Sequence, residues 1–185
     1  MSVDLKTKYL GLTLKNPVVV SACPLADQLD NLRKVEAAGA AAVVLHSLFE
    51  EQIAHDEEEI QKVYEQGAES FAEATSYFPD LEEYRFAPNL YLEHITKAKK
   101  AVSIPVIGSL NGVSRGGWIS YAKRIEEAGA DALELNIYFV AADINESSAD
   151  VEKRYFDLVA AVKQSVSIPL AVKIGPYFSS VGYVA

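Results

Sequence analysis

The chain has 185 residues, half of them hydrophobic and 23% charged, which fits a folded domain with a sizeable core rather than a disordered or fibrous chain. Its net charge of −9 argues against a nucleic-acid partner, because phosphate binding needs a basic surface. No apolar run approaches the ~18 residues of a membrane span, the opening MSVDLKTKYL lacks the pattern of a secretory leader, and the single cysteine, Cys23, cannot form an internal disulfide. The expectation is a soluble, acidic, cytoplasmic α/β domain.

Val3 to Asn16 alternates around Gly11 and reads as a small β-hairpin with the glycine in the turn. PVVVSAC follows, a β-branched run of the kind buried on both faces of a parallel sheet. Leu29, Leu32 and Val35 share one helical face, Gly39 stops that helix, and AAVVLHS is the next strand. Leu92, Ile95, Ala98 and Val102 mark a second helix, blocked by Pro105 before PVIGSL. Ile119, Ala122 and Ile125 mark a third, stopped by Gly129 before ALELNI. Val151, Tyr155, Leu158 and Val162 mark a fourth, closed by Pro169 before LAVKI.

Two short phrases recur. Val102-Ser103-Ile104-Pro105 returns as Val166-Ser167-Ile168-Pro169, and Ala38-Gly39-Ala40 returns as Ala128-Gly129-Ala130. Helix, turn and buried strand in this order predict right-handed βαβ units, five parallel strands, and either a doubly wound sheet or a (β/α)8 barrel. No G-x-G-x-x-G follows the first strand, which weakens the dinucleotide-binding option.

Two stretches break the rhythm. An insertion of about 49–89 separates the second strand from its helix; it contains the acidic run 56–59 and SYFPDLEEYRFAPN. Insertions of this length often carry their own helix and part of a binding site. The acidic run reads as a solvated helix start rather than a metal site. The pattern then stops after its fifth unit, whereas a barrel has eight strands and about 250 residues. The reading is one domain, 1–185, holding an incomplete barrel.

Ligands of parallel α/β folds sit at the carboxyl ends of the strands. Those ends carry Ser21-Ala22-Cys23, His46-Ser47, Ser109-Leu110-Asn111, Glu134 with Asn136, and Lys173. This set suits an uncharged or anionic planar ligand better than a metal. Lys173 has three readings: a snorkelling side chain, a partner neutralising Glu134 across the barrel, or a ligand group. The last is favoured, because unpaired buried lysines are rare outside functional sites. Asn136 is a turn-former or a ligand contact. Asn111-Gly112 reads first as a turn, His46 as a satisfied core histidine, Cys23 as a small buried hydrophobe, and Glu134 as a structural partner.

LGLTLKNPVVVSA, the Glu134-Leu135-Asn136 triplet and VKIGPYF, in this order and strand placement, make the chain similar to the flavin-dependent dihydroorotate dehydrogenases and the related dihydropyrimidine dehydrogenases. The resemblance covers essentially the whole chain as the N-terminal part of a (β/α)8 TIM barrel. It implies FMN as cofactor, bound by Ala22, His46, Ser47, Asn111, Asn136 and Lys173, with Asn89 and Asn136 contacting substrate. The implied reaction is oxidation of a dihydropyrimidine such as dihydroorotate by hydride transfer to flavin, in pyrimidine metabolism.

Three positions depart from the family pattern. His46 replaces a lysine, Glu83 an asparagine, and Phe139 stands where the catalytic cysteine would be. Phe139 cannot accept a proton, so Cys23, Tyr138 and His46 are the candidate substitute bases. Glycine-rich turns after the seventh and eighth strands hold the FMN phosphate in that family, so the 185-residue chain alone is expected to bind FMN poorly and to be inactive. An open sheet edge predicts a homo-oligomer. The competing readings are a non-catalytic interaction subunit, or another barrel enzyme using Lys173 as a Schiff-base amine.

Overall fold

The computed structural model describes residues 3–49, 87–112, 116–138 and 140–185. Strands β1 (Thr7–Tyr9) and β2 (Leu12–Leu14) form an antiparallel hairpin. Its turn residues Leu10 and Gly11 both have positive φ, at 53° and 73°. Two successive left-handed residues make the turn whose twist matches a two-residue hairpin.

The main body alternates strand and helix. It comprises β3 (Val19–Val20), a 3-10 turn (Pro24–Asp27), α1 (Leu29–Ala37), β4 (Ala42–Phe49) and α2 (Ala87–Ala101). These are followed by β5 (Val106–Asn111), α3 (Gly116–Glu127), β6 (Ala132–Ile137), α4 (Ser148–Ser165), β7 (Leu170–Ile174) and a terminal turn of helix, α5 (Val181–Val184). The five main strands are parallel and lie side by side in chain order, β3-β4-β5-β6-β7. A doubly wound sheet would reverse its order partway. Here the order never reverses, and each of α1 to α4 packs on the next. The result is the curled sheet of a (β/α)-barrel over its first five units.

Two expectations about strands are revised. The first barrel strand pairs only through Val19 and Val20, because Pro17 before it and Pro24 after it leave little room for a ladder. LAVKI is half exposed rather than buried, and among the described strands β7 pairs with β6 alone. Most of the insertion, including the acidic run at 56–59 and Glu83, lies outside the described residues. Phe49 closes β4 and Ala87–Asn89 open α2.

The sheet buries its two faces differently. On one side Val43, Leu45, Leu48, Val106, Leu110, Leu133, Leu135 and Ile137 pack against Leu32 of α1, Ile95 of α2, Ile125 of α3 and Leu158 of α4. On the other side a smaller cluster joins Ala42, Val44, Ile107 and Ala132 to Leu14, Leu10 and Leu12 of the hairpin. The hairpin therefore plugs the amino end of the inner face. Leu14 is 2% exposed, and burying such a side chain contributes about 1.5–3 kcal/mol.

Candidate functional site

Parallel register fixes which side chains share a face. Ser109 stands opposite Ser47 and Glu134, Glu134 opposite Ala171, and Asn136 opposite Asn111 and Lys173. These positions continue the inner face above the apolar layer of Val44, Ile107 and Ala132. The inner face is thus greasy at its amino end, where the hairpin seals it, and polar at its carboxyl end.

The polar end is wired across four strands. The hydroxyls of Ser47 and Ser109 lie 2.9 Å apart, and Ser109 Oγ donates to Glu134 Oε1 at 3.4 Å. Glu134 Oε1 lies 3.7 Å from the Lys173 ammonium. Glu134 is nearly buried, its side chain 13% exposed, whereas that of Lys173 is 55% exposed. The carboxylate therefore holds the ammonium itself, while the lysine side chain stays open to the rim. Lys173 thus pairs with Glu134 and still presents its ammonium at the rim.

One irregularity decides which β4 residues join this row. Val44 pairs with Ile107 and Ser47 with Ser109, so Leu45 and His46 together face the single residue Gly108. Simple alternation from Val44 would put His46 inside; the extra residue reverses the parity and turns Ser47 in. His46 lies on the helical side instead. Its ring stacks edge-on against Tyr91 at 5.0 Å and lies 6.2 Å from that of His94. Asp27 Oδ1 lies 2.6 Å from His46 Nδ1, although that nitrogen has no partner in hydrogen-bond geometry.

The other sequence candidates separate. Ala22 packs at the margin of the hairpin cluster. Cys23, half-buried, precedes the 3-10 turn and accepts from Ala26 N–H through its carbonyl. Asn89 lies in the outer layer, where its carboxamide oxygen accepts from Arg124 at 2.6 Å. Tyr138 is half exposed beyond β6. Its ring lies 6.4 Å from that of Tyr177, and this neighbouring phenol pushes its own above the usual range. Phe139 lies outside the described residues. The row thus gathers Ser47, Asn111, Asn136 and Lys173, but neither His46 nor Asn89.

Sequence reasoning missed Tyr91. Its buried hydroxyl accepts from the Ser109 N–H at 2.8 Å and donates to the Ser109 carbonyl at 3.2 Å. Burial pushes this phenol well above its ordinary range. The only sequence signal is a tyrosine on the apolar stripe of a helix, which normally reads as core packing.

Among the described residues no group of three or more His, Cys, Asp or Glu side chains is placed to hold a metal ion. No helix among them is long and apolar enough to cross a membrane.

Fold and rim together define a (β/α)-barrel chain whose hydrogen-bonding side chains collect at the carboxyl ends of its strands. A solved dihydrodipicolinate synthase from Agrobacterium tumefaciens shares this fold, with a TM-score of 0.54 at 13% identity over 90% of this chain and 48% of that one. No family model matches the chain. In sequence it is similar to the catalytic subunits named dihydroorotate dehydrogenase B (NAD(+)) of Thermoplasma acidophilum and Methanocaldococcus jannaschii. The first is 26% identical over 98% of this chain and 58% of the relative. The second is 27% identical over 98% and 57%. The chain therefore spans less than two thirds of the relatives it matches.

Proposed function

We propose that the chain serves an FMN-dependent oxidoreductase of the dihydroorotate dehydrogenase type, acting on a dihydropyrimidine in pyrimidine metabolism. The observation that carries this reading is the row of Asn111, Asn136 and Lys173, adjacent in register on the inner face at the carboxyl ends of three strands. The likeness to curated dihydroorotate dehydrogenases supports it.

The donor set fits the group. Two carboxamides side by side both donate and accept, which suits the pyrimidine edge of a flavin and of a dihydropyrimidine. When bound, FMN supplies the acceptor for a hydride. Lys173 places a fixed positive charge where negative charge would develop, with no reorganisation at the moment of reaction. Glu134, through Ser109 and Ser47, holds that ammonium at the rim. Ala22, at the margin of the hairpin cluster, would lie against the flavin. Cys23 and Tyr138 are the remaining candidate proton acceptors, because His46 lies on the other face of the sheet. Self-association through the edge beside β7 belongs to the same reading, as does a cytoplasmic location.

Binding by this chain alone is expected to be weak, with Kd of about 1 mM, or about −4 kcal/mol. Titrating the isotope-labelled chain with FMN should shift the amide resonances of Ser109, Asn111, Asn136 and Lys173 saturably. Lys173→Ala and Asn136→Ala should each weaken the effect by about ten-fold, the loss of one charge-assisted or bidentate contact. Shifts scattered elsewhere, or none at millimolar FMN, reject the reading. Borohydride trapping of a carbonyl compound on Lys173 would favour Schiff-base chemistry instead. Where dihydroorotate reduces bound flavin, a Cys23→Ser variant with unchanged rate removes Cys23 as the base.

A further inference from the structure

The extra residue in β4 has a physical consequence at the rim. It leaves Leu45 and His46 facing Gly108, and at this level a hydroxyl enters from the helical layer. Tyr91 Oη accepts from the Ser109 N–H and donates to the Ser109 carbonyl, so one side-chain atom satisfies both main-chain groups of the residue that follows Gly108. The same tyrosine ring packs edge-on against His46, and Asp27 Oδ1 lies 2.6 Å from that imidazole's Nδ1. Tyr91 therefore touches both residues whose placement the irregularity decides. It grips Ser109 directly and walls His46 into the outer layer.

We propose that Tyr91 is a positioning residue that fixes the β4–β5 register, turning Ser47 rather than His46 toward the candidate ligand face. With the hydroxyl in place, Ser47 reaches Ser109 and the chain of contacts runs on to Glu134 and Lys173. Without it, the Ser109 N–H and carbonyl lose the hydroxyl that bonds both. The uninterrupted ladder, in which His46 would stand beside Ser109, then becomes a competing register. Such a slip would replace two hydroxyls at the rim by a hydroxyl and an imidazole, and would loosen the geometry that Glu134 imposes on Lys173. Tyr91 acts here through Ser109, not on a ligand. Its significance for ligand binding rests on the flavin reading above; its effect on register does not.

Tyr91→Phe keeps the ring and removes only the hydroxyl. Hydrogen exchange of the Ser109 amide should then rise by about ten-fold, while amides of β6 away from the contact keep their rates. Competitive acetylation of Lys173, read against the other lysines by mass spectrometry, should change by at least about two-fold and equally in Tyr91→Phe and Ser109→Ala, as expected of groups acting as one network. A purely structural role would lower Tm without moving that ratio. FMN association should weaken by roughly three- to ten-fold.

In the unsubstituted chain, the Tyr91 hydroxyl proton should exchange slowly and show a cross-peak to the Ser109 amide; this arm remains decisive if the variant does not fold. Absence of that cross-peak, or Ser109 exchange and Lys173 acetylation unchanged in Tyr91→Phe, overturns the proposal. If the unsubstituted chain shows no FMN shifts at all, the flavin reading alone falls, and exchange and acetylation still decide the role of Tyr91.

Discussion

Gly108 lies where β5 passes under α3, and a Cβ built there would stand 2.6 Å from Cγ2 of Ile125. Ile125 is fully buried and β-branched, so it cannot swing aside cheaply. Gly108→Ala should therefore cost about 1–3 kcal/mol, as overpacking does. That lowers Tm by about 2–4 °C per kcal/mol in a chain of this size. Combining it with Ile125→Ala should cost less than the sum of the two single changes, because they share one contact. A thermal melt of Gly108→Ala that matches the parent chain would show that α3 can rise off the sheet. The same glycine faces the extra residue of β4, so one small side chain serves a helix on one side and a strand irregularity on its flank. Neither duty could be read from PVIGSL, where Gly108 looks like a defect in a good strand.

The two recurring phrases are two ends of one structural device. In α1 and α3 the Ala-Gly-Ala phrase is a helix stop: Gly39 and Gly129 have φ of 103° and 96°. Their N–H groups return to Glu36 and Glu126, while Ala40 and Ala130 return to Val35 and Ile125, the double bond of a Schellman cap. The glutamates just before each stop then reach across to the second phrase. Glu36 accepts from Ser103 Oγ and from the N–H groups of Ser103 and Ile104. Glu126 does the same with Ser167 and Ile168. The repeat period is two strands, from β3–β5 to β5–β7.

These bonds, led by the serine hydroxyls, hold both carboxyls below the ordinary glutamate range. A lowered native pKa stabilises the fold above the unfolded value, about 4.3, and that contribution is lost as pH falls through the native value. Stability should thus decline on acidification below about pH 4.3. Ser103→Ala with Ser167→Ala should flatten the decline, as read by Tm against pH; an unaltered slope would remove the clasps as its source.

At the level of the whole molecule, the hairpin closes one end of the inner face and leaves the other polar and open. β7 pairs with β6 alone among the described strands, and beside it Val172, Phe156 and Val181 are 40%, 46% and 40% exposed. A strand paired on one side only, next to exposed apolar side chains, invites association. Sedimentation velocity should show concentration-dependent self-association, and Val172→Lys should reduce it without lowering Tm. A chain that remains monomeric across the accessible concentration range would contradict this.

Much of this protein follows from local rules. Helix faces, the Gly and Pro stops, the hairpin turn and the succession of five parallel strands depend on backbone geometry and apolar period, which short windows of sequence contain. The gathering of Asn111, Asn136 and Lys173 on one rim was legible too, because parallel strands in chain order bring their carboxyl ends together. Tertiary structure alone decided that Ser47 and not His46 faces that rim, since one extra residue inverts the alternation and no composition rule marks it. It also decided that Glu134 pairs with Lys173, that Asn89 turns to Arg124, and that Tyr91 bonds to Ser109. Each of these contacts joins residues distant in the chain, and their distances are set only when helices settle on the sheet.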